Sequence, residues 1–253
     1  MEHIGKTLSQ LRKGLNLIPD HQSSEIKEDV CPVCKGGHFI HPLKADGQPD
    51  YSRAVECRHC ITPEQVREKL GVSSLDSTFD NFKQVHGSEE ALVAAKRIAS
   101  MGTDWKLLLI YGEWGNGKTH LLEAISLELW RLGHTASIQT FPDFVTRLKG
   151  TFDRSKNEED GDSFNDMLNR LCVKEFLLLD DVGTAGSFTE FSLAQLEHIM
   201  LARYRENLFT VITTNLDYAS LPRFVTSRFS DSEKARIVIN DAPDFRPNKK
   251  ERE

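Results

Sequence analysis

No apolar run in the 253-residue sequence approaches the length needed to cross a bilayer, which excludes a transmembrane helix and a membrane-embedded role. The opening stretch, MEHIGKTLSQLRKGL, lacks the continuous apolar core of a secretory signal, so a soluble cytoplasmic protein is expected. Positive charge is not in excess either: 32 Lys and Arg stand against 38 Asp and Glu, a net charge of −6. That balance argues against a strongly basic nucleic-acid coat and leaves room for a local basic stripe. Cysteine is scarce, but four of the five form two C-x-x-C pairs, which in a reducing compartment points to metal rather than disulfides. Internal repeats and extended low-complexity tracts are missing. The apolar share of 39% is enough for one full α/β domain and something smaller beside it.

The stretch LLLIYGEWGNGKTHLL, Leu107 to Leu122, is an apolar run that breaks into a glycine-rich turn and resumes with helical periodicity. Gly112, Gly117, Lys118 and Thr119 have the G-x-x-x-x-G-K-[ST] spacing of a P-loop. Glycines let backbone N–H groups curl around a phosphate, and the following helix adds the positive end of its dipole. Lys118 is predicted to neutralise the β- and γ-phosphates of ATP, and the Thr119 hydroxyl to ligate Mg²⁺. The ATP-binding segment is therefore Gly112, Glu113, Trp114, Gly115, Asn116, Gly117, Lys118, Thr119 and His120.

Upstream, Cys31-Pro-Val-Cys34 and Cys57-Arg-His-Cys60 enclose 22 residues, an interval that suits a ribbon-like or treble-clef-like Zn²⁺ site. Four thiolates leave no open coordination position, so the zinc is read as structural, and His38, His41 and His59 as surface residues. Metal binding is expected to supply much of the folding energy of so small a segment. Before it, Leu8, Leu11, Leu15 and Ile18 would stripe a short helix ended by Pro19, either a docking helix or one packed on its own zinc module. The expected organisation is a helical segment over 1–30, a zinc-binding module and linker over 31–75, and an ATPase domain over 76–253. Within 31–75, Thr62-Pro63-Glu64 starts a short helix running to about Gly71. Phe79 and Phe82 either pack near a bound base or seal the edge of the core.

Downstream, the buried-strand pattern FLLL ends in Asp180-Asp181, and the next strand, LFTVITT, ends in Asn215. Asp180 would hold the Mg²⁺ water shell, Asp181 would polarise the attacking water, and Asn215 would orient it. Arg223 and Arg228 fall on a short helix, from which an arginine could reach a neighbouring subunit's γ-phosphate. Thr151 to Ser163 is polar and acidic and reads as an exposed loop. Cys172 reads as a core residue.

The ordered series TFDNF, GEWGNGKTH, FLLLDDVG, VITTNL and SRF resembles the AAA+ ATPases of the bacterial replicative helicase loader group, DnaC and DnaI, with the transposition helper IstB close by. The likeness covers about residues 76–246, and the cysteine module also looks like that of DnaI-type loaders. It implies an α/β AAA+ P-loop NTPase core, a central parallel sheet flanked by helices, with the lid reduced or absent, plus a small N-terminal zinc-binding domain. It assigns Lys118 and Thr119 to Walker A, Asp180 and Asp181 to Walker B, Asn215 to sensor I and Arg228 to the arginine finger, with Arg223 as a competing finger. Arg246 matches a late arginine near the nucleotide in these loaders. The implied partners are a hexameric DnaB-type replicative helicase, single-stranded DNA, and further copies of the chain through ATP-bridged interfaces. Asp181 stands where most AAA+ proteins have Glu, which suits slow hydrolysis and a switch. An IstB-like regulator binding duplex DNA is the alternative. A small-substrate P-loop kinase fits the Asp-Asp and Thr-Thr-Asn strand ends poorly, and a DnaA-type initiator is disfavoured because no helix-turn-helix domain follows the core.

Overall fold

The computed structural model describes residues 31–41, 47–52, 54–153, 163–184 and 188–246. The expected helix over Leu8–Ile18, most of the acidic loop before Ser163, and the residues after 246 lie outside that set. The chain divides into two compact units, Met1–Ile61 and Thr62–Glu253. In the first, β1 (Phe39–Ile40) pairs antiparallel with β2 (Val55–Glu56), Phe39 opposite Glu56. This hairpin connects the two C-x-x-C turns.

In the second unit α1 (Pro63–Leu70) starts at a capping box: Thr62 Oγ1 accepts from Gln65 N, and Gln65 Oε1 accepts from Thr62 N. It ends at Gly71 in the left-handed region, where an added Cβ would stand 2.6 Å from the Ile138 carbonyl oxygen. Leu70 and Val72 are buried against Leu127, with Val66, Leu75 and Trp130 around them. Residues 62–75, expected to belong with the zinc module, thus pack as part of the second unit, and the division falls at Ile61. The physical reason is that Val66 and Leu70 on an otherwise polar helix, with Val72 and Leu75 just beyond its end, supply enough apolar surface to dock it on a neighbouring helix.

Then come α2 (Glu89–Ala99), β3 (Leu107–Tyr111), α3 (Lys118–Leu132), β4 (Ile138–Thr140), α4 (Phe141–Asp153), α5 (Phe164–Val173), β5 (Phe176–Asp180), α6 (Glu190–Arg205), β6 (Phe209–Thr214), α7 (Arg223–Phe229) and β7 (Ala235–Ile239). The strands form one sheet in the order β4-β5-β6-β3-β7, and every pairing is parallel. Successive strand residues face opposite layers. Leu107, Leu109, Leu177, Leu179 and Ile212 pack against α4 to α7. Leu108, Ile110, Leu178, Val211 and Val238 pack against α2 and α3. Burial on both faces is why these strands read as continuous apolar runs rather than alternating ones. Phe79 and Phe82 lie against the α2–α3 layer, sealing its edge. Cys172 is buried in the opposite layer.

Among the buried polar side chains of this framework, one ties several elements together. Arg203, on α6, is 0% exposed. Its guanidinium donates to the carbonyls of Leu171 (2.7 Å), Lys174 (2.7 Å), Glu175 (3.4 Å) and Phe209 (2.6 Å) and to Thr210 Oγ1 (2.9 Å). It thereby ties the end of α5 and the beginnings of β5 and β6 to one point. Burial lowers its pKa to about 10, far enough above neutrality to leave it charged.

Candidate functional site

The site forms at the carboxyl ends of β3, β5 and β6. The strand order puts β6 between the P-loop strand and the Asp-Asp strand, so residues leaving β6 can address both. Gly112 follows β3 with φ +146°, and a Cβ there would sit 2.1 Å from the Asn240 carbonyl oxygen, so the position excludes every side chain. Gly117 caps α3 at φ +91°, with the Phe82 ring 2.9 Å from where a Cβ would be. The helix N-terminus is therefore free of a side-chain cap, which leaves its first N–H groups available to an anion.

Lys118 is only 5% exposed. Its Nζ donates to the carbonyls of Gly112 (2.8 Å) and Glu113 (2.6 Å) and to Asn116 Oδ1 (2.9 Å). Burial lowers its pKa to about 8, opposed by the charges of Asp181, Asp180 and Glu113; the Arg246 charge acts with burial, which places that arginine within electrostatic reach of the site. Thr119 Oγ1 donates to Asp180 Oδ2 (2.8 Å). A hydroxyl and a carboxylate beside a phosphate cradle form the hard-oxygen donor set that Mg²⁺ takes, so the residues present fit that ion.

Asp180 is 3% exposed, and burial pushes its carboxyl up. The hydrogen bond from Thr213 Oγ1 to Asp180 Oδ1 opposes that shift, the Asp181 charge adds to it, and the bond from Thr119 again opposes it. Asp181 has φ +56°, a strained conformation for a residue with a side chain. Three contacts from β6 and the residue after it hold this turn: Asp181 N donates to Thr213 Oγ1 (3.3 Å), Val182 N donates to Thr213 O (3.0 Å), and Asn215 Nδ2 donates to Asp181 Oδ1 (3.0 Å). Lys118, Thr119, Asp180, Asp181 and Asn215 are thus brought together as the sequence suggested.

The other predicted residues have different surroundings. Glu113 contributes its carbonyl, Trp114 is 53% exposed at the loop tip, and His120 Nε2 lies 2.8 Å from the Thr78 carbonyl with its ring edge-on to Phe82. Arg228 turns back on its own helix, its Nη1 donating to Phe224 O (2.7 Å), while its Nε is buried without a hydrogen-bond partner. Arg223 is exposed on α7. Neither arginine bonds to the residues around Lys118, Asp180 or Asp181.

Two contributors were missed. Thr213 looked like one more β-branched strand residue. Asn240, directly after β7, lies 124 positions from its partner Asn116, a separation across which no local pattern speaks. The segment after β7 also lies on the loop: Phe245 N donates to Gly115 O (3.0 Å), and a Cβ on Gly115 would overlap the Asp244 carboxylate. Among the described residues no helix follows β7.

In the first unit the sulfurs of Cys31, Cys34, Cys57 and Cys60 all lie within 4.8 Å of one another. Cys31 Sγ to Cys57 Sγ is 3.7 Å and Cys34 Sγ to Cys60 Sγ 3.2 Å. A tetrahedron with Zn–S of about 2.3 Å has edges of roughly 3.8 Å, so the cluster fits Zn²⁺ after sub-ångström adjustment. Backbone N–H groups of Cys34 and Val33 aimed at Cys31 lower its pKa to about 6, favouring the thiolate that a metal needs. Burial pushes the Cys57 thiol the other way. His38, His41 and His59 are exposed and stand outside the cluster.

A sequence family described as the bacterial DnaA ATPase domain matches residues 74–223, more than half of the chain. The chain belongs to this family. Among DnaA-type ATPase relatives, the replicative helicase loader DnaC of Buchnera aphidicola subsp. Schizaphis graminum is 27% identical over 182 residues, 71% of this chain and 70% of that protein. A crystal structure of DnaI superposes with a TM-score of 0.52 and 23% identity over 71% of this chain and 94% of DnaI. AMPPCP-bound DnaA from Aquifex aeolicus superposes with a TM-score of 0.56 and 22% identity over 66% of this chain. The chain spans half the length of that DnaA structure. These superpositions establish the AAA+ fold of the DnaA-type domain. Among its described residues, no helix is long and apolar enough to cross a membrane.

Proposed function

We propose that this protein is an ATP-dependent loader of a replicative DNA helicase. The observation that carries the reading is the convergence of Lys118, Thr119, Asp180, Asp181 and Asn215 at one end of a parallel sheet, in a chain whose relatives include proteins named replicative helicase loader. Lys118 and the P-loop N–H groups bind the phosphates, and Thr119 and Asp180 would hold Mg²⁺, which when bound would supply charge neutralisation at the phosphates. Asp181 accepts a proton from the attacking water, and Asn215 fixes the direction of that carboxylate. Asp is shorter than Glu, so turnover is slow and waits on a partner or on DNA. Arg228, unoccupied within its own subunit's site, serves the ATP of a neighbouring copy, with Arg223 as the competing residue; Arg246 reads the nucleotide from its own side. The zinc-bearing first unit grips a hexameric DnaB-type helicase in the cytoplasm, and the assembled ATPase domains contact single-stranded DNA.

The test is co-sedimentation of the full chain with the replicative helicase, with ATP present, comparing wild type with a Cys31→Ser/Cys34→Ser variant. Binding by wild type and its loss in the variant is expected; equal binding by both removes the docking role of the zinc unit. ATP turnover measured separately with helicase, single-stranded and duplex DNA should rise with the first two. Stimulation by duplex DNA alone would favour an IstB-like regulator instead.

A further inference from the structure

The most thoroughly built contact that the nucleotide chemistry leaves unused lies between the P-loop and the residue after β7. Asn240 is 0% exposed and Asn116 is 4% exposed. Asn116 Nδ2 donates to the Asn240 carbonyl (2.5 Å), and Asn240 Nδ2 donates to the Asn116 carbonyl (2.9 Å), a reciprocal amide pair. Asn240 is itself fixed on the sheet: its N–H donates to Tyr111 O (2.7 Å), the last residue of the P-loop strand, and its Oδ1 accepts from Ala242 N (3.4 Å). The chain of contacts continues to the reactive end of the loop, because Asn116 Oδ1 accepts from Lys118 Nζ at 2.9 Å. The same Asn240 carbonyl is the atom that excludes a side chain at Gly112.

We infer that Asn240 is a positioning residue for nucleotide binding, acting through Asn116 to hold the P-loop curled and the Lys118 ammonium inside it. The inference rests on the nucleotide-binding reading above. Only an amide of this length fills the position: it must donate to Asn116 O while its oxygen accepts from Ala242 N. A carboxylate cannot donate, and leucine can do neither. A buried amide network of this kind also fixes a single loop conformation, because any rearrangement strands polar atoms away from water.

The test uses full-length protein, with mant-ADP affinity measured well below the unfolding midpoint and ATP turnover at saturation. Asn240→Ala should weaken mant-ADP binding about tenfold, the worth of one buried hydrogen bond, and Asn116→Ala by at least as much, since it also removes the acceptor of Lys118 Nζ. The double variant should bind about as weakly as Asn116→Ala alone, because once the Asn116 side chain no longer holds Lys118, the separate bond from Asn240 to the Asn116 carbonyl has nothing further to position. Saturating turnover of the Asn240 variants should stay within about twofold, since Asp181 and Asn215 are untouched; a general structural defect would lower it too. Asn240→Asp, which keeps the shape and loses the donor, should match Asn240→Ala and serves if the alanine variant does not fold. Wild-type affinity in a folded Asn240 variant overturns the inference, as do losses that multiply in the double variant. Failure of the wild-type protein itself to bind mant-ADP would instead overturn the nucleotide-binding reading.

Discussion

Replacing Thr213 with valine keeps the shape of a fully buried strand residue and deletes one hydroxyl, yet that hydroxyl serves both aspartates of the site, the carboxylate of one and the backbone N–H of the other. It donates to Asp180 Oδ1 and accepts from Asp181 N at 3.3 Å. A hydrogen bond to an ionised group contributes about 1.5–3 kcal/mol, and the longer backbone bond adds about 0.5–1 kcal/mol. The variant should therefore lose about 2–4 kcal/mol of folding stability near neutral pH. For a domain of this size each kcal/mol lowers the thermal midpoint by about 2–4 °C, so a drop of at least about 4 °C is expected in calorimetry. Turnover of Mg-ATP should fall at least about tenfold, because Asp181 loses one of the three contacts that keep it at positive φ. Serine restores the hydroxyl and should recover most of both losses. A valine variant with the wild-type midpoint and wild-type turnover would refute the idea that β6 organises the two aspartates.

Arg203→Met should cost about 3–5 kcal/mol in urea denaturation, because four carbonyls and a hydroxyl lose their shared donor inside the fold; a neutral result would show that Arg203 does not hold the strand ends. Nucleotide affinity without Mg²⁺ should be flat below pH 8 and fall above it by at most about tenfold per pH unit. The free protein's Lys118 has a pKa of about 8, phosphate beside the ammonium raises it, and between those values the complex holds one more proton. Lys118→Arg, charged throughout, should flatten that profile in fluorescence titration, and an unchanged profile would remove Lys118 as its source. Metal analysis should find one zinc per chain, and chelation should release it while leaving the thermal midpoint of the second unit in place, since that unit contains none of the four cysteines.

The P-loop, the two polar strand ends after β5 and β6 and the cysteine tetrad were legible because each is a local pattern: a spacing, an apolar run, a polar residue at its end. The strand positions followed for the same reason but not all their bounds: the run from Val173 narrows to β5 because Val173 to Glu175 belong to α5 and its exit, and the strand expected over 134–139 is β4, Ile138–Thr140. Arg203 was not legible, since an arginine near a helix end looks like a solvated cation, and only the fold brings four carbonyls to it. Thr213 and Asn240 were hidden for a related reason. Their partners are contributed by other strands, and parallel pairing puts long crossovers between them. The helix over residues 63–70 was found, but its allegiance depended on Leu70 and Val72 meeting Leu127, a contact that periodicity does not specify.

The placement of β6 has a consequence for how errors in this chain would show themselves. Pairing Ile212 with Leu109 on one side and Leu179 on the other sends Val211 and Ile212 into opposite helical layers and, one and three residues after Ile212, delivers Thr213 and Asn215 to the aspartates. A slip of one residue would invert every side chain on the strand. The two apolar layers and the contacts to the aspartates would fail in the same event, so a misregistered molecule cannot persist as a well-packed competitor with a broken site. Proofreading of the site is built into the assembly of the sheet.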